Sequence, residues 1–148
     1  MSTVTRFARR SDPGQALVEF SLAIVIFLTV LMGVVDFGMA IYKYNGVSEA
    51  AREIARVASV HQGSLTFGVS SEITAAVATQ QKLVPGLGSP TMSCTDVNGA
   101  SVALVSGKCP TTAFVNVTVT APYRAATPLV GLLGSLTMKG SSSAQVQQ

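Results

Sequence analysis

The sequence predicts an α+β protein: a long N-terminal membrane-spanning helix continuing into an exported domain, a small antiparallel β-sheet with one extra helix. Three observations predict it. Residues 14–38, GQALVEFSLAIVIFLTVLMGVVDFG, are uncharged except at Glu19 and Asp36. Apolar residues then recur at helical spacing as far as Ala58, and beyond Pro85-Gly86 the period falls to two. The expected organisation is a basic leader over 1–14, a transmembrane helix over 15–44 and an exported domain over 45–148. Within the last, helices are expected at about 46–60 and 70–84, and strands from about 90 onward.

The leader carries Arg6, Arg9 and Arg10; from Gln15 onward seven Lys/Arg stand against six Asp/Glu. The basic pI is therefore a property of the first residues, and no basic face suited to nucleic acid is visible. Arginines crowded before an apolar run act as a topological signal that keeps the N-terminus in the cytoplasm and sends the rest outside. The predicted location is the cytoplasmic (inner) membrane, crossed once.

Glu19 and Asp36 enclose sixteen uncharged residues, a length of roughly 25 Å at ~1.5 Å per residue against a hydrocarbon core of ~30 Å. Ala16–Val18 below and Phe37–Ile41 above complete the span, with Tyr42, Lys43 and Tyr44 as an interfacial anchor cluster. Both acids then lie near membrane edges. A carboxylate at the midplane would cost about 2.5–3.5 kcal/mol, and less toward the edge. That makes Glu19 tolerable without explaining it. A cleaved signal peptide is the rival reading, since Gly38-Met39-Ala40 offers small residues to a signal peptidase. The run is too long for an ordinary h-region, and the acids interrupt its flanks.

Past the span, Val47, Ala50, Ala51, Ile54 and Ala58 form a stripe of small apolar residues suited to close packing on a sheet. Glu49/Arg52 and Glu53/Arg56 are i,i+3 pairs of opposite sign on a solvated face. Asn45-Gly46 is a place where this long helix would bend. His61–Gly68 has loop composition. Ser70 or Ser71 caps a second helix, Glu72 suits its first turn, and Ile73, Ala76, Val77 and Val84 give it an apolar face ended by Pro85-Gly86.

Asn98-Gly99 between strand-like runs predicts a hairpin turn. Over Thr112–Thr120, Ala113, Val115, Val117 and Val119 alternate with polar residues, as in a half-buried strand. Pro122–Gly134 reads as a punctuated connection, and Ser135–Val146 as a last edge strand. Asn116-Val117-Thr118 matches a glycosylation acceptor but carries no weight inside a strand. Cys94 and Cys109 both fall on the exported side. An even count in an oxidising compartment predicts one disulfide, with two free thiols as the alternative.

No catalytic motif stands out. GxSxG, HExxH and the dinucleotide glycine fingerprint are missing. Gly99 to Gly107-Lys108-Cys109 has the wrong spacing for a phosphate loop, and Cys109 replaces its hydroxyl residue. The single histidine, His61, has no nucleophile or acid beside it in the sequence, and two cysteines with one histidine do not make a zinc set. No enzyme activity, cofactor or metal is expected.

Gly14, followed by Gln15-Ala16-Leu17-Val18-Glu19-Phe20 and preceded by a short basic leader, resembles the type IV pilin family. In that family the leader is cut after a Gly by a prepilin peptidase, and a Glu stands fifth after the cut, as Glu19 does counted from Gln15. More narrowly, Gly14–Gly38 followed by Ala50-Ala51-Arg52-Glu53-Ile54-Ala55-Arg56 is similar to the TadE-like proteins, minor pilins or pseudopilins of the Tad (Flp) pilus. The resemblance is specific over Gly14–Ala58 and weaker in the tail. Phe20 stands where the major Flp pilins carry Tyr, and those are much shorter.

The resemblance implies Gly14 and Gln15 as the processing site and Glu19 and Phe20 as assembly residues. It implies as partners other pilin subunits, major and minor, through the N-terminal helix, the prepilin peptidase, the Tad assembly platform and membrane lipid. Incorporation into the extracellular pilus is a further implication. Cleavage would expose an α-amine on Gln15, with an ordinary pKa near ~8, and an ammonium partner lowers the cost of a buried carboxylate. Glu19 would then pair with the amine of a neighbouring subunit. The competing class is an uncleaved single-pass anchor that presents a small binding domain outside.

Overall fold

The computed structural model describes residues 13–62, 70–127, 131 and 134–147. Arg6, Arg9 and Arg10 of the leader, and the expected loop beyond Gln62, lie outside the described residues. Five elements follow in order: α1 (Pro13–Val60), α2 (Ser71–Leu83), β1 (Thr91–Thr95), β2 (Phe114–Tyr123) and β3 (Leu136–Gln145). The fold is α+β, and the chain divides into two compact units, Met1–Val35 and Asp36–Gln148.

In the first unit α1 starts at Pro13, where a missing N–H costs nothing because the first helical donors have no partner anyway. Leu17, Val18, Phe20, Leu22, Val25, Ile26 and Phe27 are all exposed. Ser21 and Thr29 donate their hydroxyls to Leu17 O and Val25 O, each at 2.8 Å. Each hydroxyl is thereby satisfied within its own helix, which suits a surface facing hydrocarbon. Helix α1 is long and apolar enough to cross a membrane.

The second unit is built on the small-residue stripe. Val47, Ala50, Ala51, Ile54, Ala55 and Ala58 are fully buried, so Ala55 widens the expected face. Asn45-Gly46 stays within α1. Gly46 serves there as a point of close approach, since a Cβ on it would lie 3.3 Å from a Val84 methyl. Ser70 caps α2, accepting from Ile73 N at 3.2 Å, and Gly86 (φ 82°) turns the chain after it. Ile73 and Val84 are buried, with Ala76 and Val77 half-buried beside them.

The three strands are antiparallel in the order β1-β2-β3. Val115, Val117, Val119 and Ala121 of β2 point into the core, as the alternation predicts. On β3 Gly140 is buried opposite Val119 and lies directly against the α1 backbone at Val47 and Ser48. Beyond β3, Val146 N bonds Ala113 O at 3.1 Å and Gln147 N bonds Ser59 O at 3.0 Å, tying the end of the chain to the core.

Two expectations need correction. Asn98-Gly99 does form a tight turn, with Gly99 at φ 81° and Asp96 Oδ1 accepting from Asn98 N and Ala100 N at 2.9 and 2.8 Å. The hairpin it closes is short, with Asp96 N donating to Ala100 O, Val102 N to Cys94 O and a single bridge between Thr95 and Ser101, so its second arm is not a ladder strand. The ladder partner of β1 is β2, whose longer apolar face buries Cys94 opposite Val115. The second correction concerns Pro122, which lies in β2 opposite Thr137 rather than opening a connection. Thr120 O accepts from Gly88 N on the side of β2 away from β3. Pro122, two residues on, turns its missing N–H to that same side, beyond the end of β1, and no ladder bond is lost.

Candidate assembly and anchoring site

Gly14, Gln15, Glu19 and Phe20 lie in the first turns of α1, all exposed. Gln15 and Glu19 are four residues apart and share a helix face about 6 Å apart along the axis. An acid near a helix N-terminus is favoured by the helix dipole. The structure therefore brings the four predicted residues onto one exposed helix start.

A second constellation escaped the sequence reading. Asp36 ends the apolar run, and its side chain is almost entirely buried within the second unit. Oδ1 accepts from Ala126 N at 2.9 Å; Oδ2 accepts from Thr127 N at 3.3 Å and from the Thr127 hydroxyl. Tyr123 donates its phenolic O–H to the Asp36 carbonyl at 2.8 Å. The segment leaving β2 thus closes on the carboxylate with three donors, which offsets the cost of removing the charge from water. Sequence offered one signal: an acid at the border of an apolar helix requires donors, and Thr127 is a hydroxyl residue in the stretch leading out of β2. Nothing local linked residues so far apart in the chain.

Lys43, expected as an interfacial anchor, donates to Pro85 O at the exit of α2, while Tyr42 and Tyr44 are exposed. Between α1 and the end of α2 lies an open groove of about 610 Å³ lined by residues including Tyr42, Tyr44, Arg52 and Leu83. On the outer face of α1, Arg56 holds Glu53 through two hydrogen bonds of 2.9 and 2.6 Å. That hydrogen-bonded partner lowers the Glu53 carboxyl below its ordinary range.

Cys94 and Cys109 form a disulfide with Cα atoms 5.7 Å apart, closing a loop of sequence separation 15. Cys109 N donates to Gln62 Oε1 at 2.6 Å, which fastens this loop to the end of α1. Among the described residues no three His, Cys, Asp or Glu side chains gather as a metal-binding group.

Residues 14–56 match the TadE family, described as TadE-like protein. No curated protein and no solved structure matches the chain.

Proposed function

Proceeding from the TadE-like character of residues 14–56, we propose that this chain is a minor pilin or pseudopilin of a Tad (Flp) pilus. Prepilin peptidase removes the leader after Gly14, Gln15 becomes the new N-terminus, and α1 holds the protein in the cytoplasmic membrane with the second unit outside. Assembly follows when Glu19 pairs with the Gln15 amine of a neighbouring pilin subunit, with Phe20 packing beside it. The Tad assembly platform and membrane lipid complete its surroundings. Its role is structural, and it is the substrate of an enzyme rather than an enzyme.

The observation that carries this reading is the match over residues 14–56 on a helix whose apolar side chains are exposed from its first turns. An acid five positions after Gly14 is held in an apolar setting at lower cost when a cation arrives to meet it. Two variants test it, each followed by intact mass and pilus production. Gly14→Leu blocks removal of the leader, because a bulky side chain cannot enter a pocket made for Gly. Glu19→Gln keeps size and hydrogen bonding, so the leader is still removed but piliation falls. Normal piliation by both variants with the leader attached would leave the uncleaved membrane anchor as the correct reading.

A further inference from the structure

The end of the β2–β3 ladder that closes on Asp36 also carries a cationic cavity. The register ends with Tyr123 opposite Leu136, and Arg124 and Ser135 are the residues just beyond that last pair. Between them is a cavity of about 300 Å³ lined by Arg124, Ala125, Gly131, Gly134 and Ser135. Gly131 N is taken by Thr127 O at 2.9 Å and Gly134 N by Gly131 O at 3.2 Å. Among the described lining residues, the side-chain donors are the Arg124 guanidinium and the Ser135 hydroxyl. Among the described residues Arg124 makes no ion pair, and the chain from Ala125 to Ser135 contains no charged residue.

Two of the residues immediately following, Ala126 and Thr127, are the donors to Asp36, the residue at which the apolar run stops. The cavity therefore adjoins, along the chain, the segment bonded to the residue at which the apolar run stops. An arginine there, with no carboxylate partner among the described residues and a hydroxyl lining the same cavity, has the chemistry that binds a phosphate diester: a planar fork of donors plus one further O–H.

We propose that Arg124 and Ser135 form a headgroup site for an anionic phospholipid, seating the second unit on the outer surface of the membrane. This rests on the membrane-anchored reading above, and the test separates the two. The full chain is placed in lipid nanodiscs of phosphatidylcholine with and without phosphatidylglycerol, and lipid retained after mild detergent extraction is counted by native mass spectrometry.

The wild-type chain should retain phosphatidylglycerol over phosphatidylcholine by roughly fivefold, the size expected for one cation at an anionic surface. Arg124→Gln should bring the ratio close to one, and Ser135→Ala should lower it part of the way. Lys108→Gln, beside Cys109 and toward the opposite end of β2, should leave it unchanged. A chain that enters no nanodisc of either composition would overturn the anchor and this site together. Entry with no lipid preference, or a preference that survives Arg124→Gln, would overturn the site alone. Displacement of the lipid by inorganic phosphate at millimolar concentration would assign the cavity to a free anion and equally overturn the lipid site.

Discussion

Replacing Gly140 by Ala sets two effects of opposite sign against each other. Glycine inside a strand is entropically unfavourable, and a residue with a Cβ should gain about 0.5–1 kcal/mol at an unhindered site. Gly140 is not such a site. A Cβ added there would lie 2.6 Å from Val47 O, 2.9 Å from Val47 C and 3.0 Å from Ser48 Cα. All three are backbone atoms of α1, so no side-chain rotation relieves the contact.

Restoring ordinary van der Waals separation requires helix and strand to part by roughly 0.8 Å, in a close-packed interior that resists it. Overpacking of this kind costs about 1–3 kcal/mol and more where the obstacle is backbone. The clash therefore wins, with a net loss of about 1–2 kcal/mol. For a unit of this size that is a fall in melting temperature of several degrees. Because the chain has no Trp, the assay is the near-ultraviolet circular dichroism of tyrosine in the full chain in detergent, where Tyr123 is buried. Ser141→Ala, exposed on the neighbouring position of β3, should melt within a degree or so of wild type. If Gly140→Ala is equally stable, β3 does not lie against α1 at Val47, and the account of the core is wrong.

Three further outcomes are expected. Ala51→Glu puts a charge at a fully buried position of the stripe and should destabilise by several kcal/mol; unchanged melting would remove Ala51 from the core. Reduction of Cys94–Cys109 opens a loop of sequence separation 15, worth about 3 kcal/mol in the chain-entropy model. Alkylation of both sulfurs before any reductant is added would contradict the bond. Glu72 at the start of α2 sits below its ordinary carboxyl pKa, first through the hydrogen bond from its own backbone N–H and then through the Ser71 hydroxyl. A carboxyl lowered in the folded state stabilises above its unfolded pKa and loses that contribution as pH falls through the folded one. The melting temperature should thus drop less steeply between about pH 5 and about pH 3 in Glu72→Gln than in wild type, and parallel curves would show that Glu72 does not contribute.

The sequence by itself determined what depends on periodicity and local chemistry. The apolar run, the Val47–Ala58 stripe, the Ser70 cap of α2 and the inward face of β2 are each written in residues that are neighbours along the chain. The exposed start of α1, with Gln15 and Glu19 on one face, follows from helical spacing alone. Tertiary structure decided the pairings between distant segments. Asn98-Gly99 specifies a turn, but the turn does not choose the strand that β1 pairs with; the longer apolar face of β2 does. Pro122 looks like a strand breaker until the end of β1 leaves its missing N–H on an open side. Asp36 reads as a flanking charge until Ala126 and Thr127, some ninety residues on, close on its carboxylate. Each of these is settled by burial, and a buried polar group or strand edge takes the partner that the whole fold brings to it.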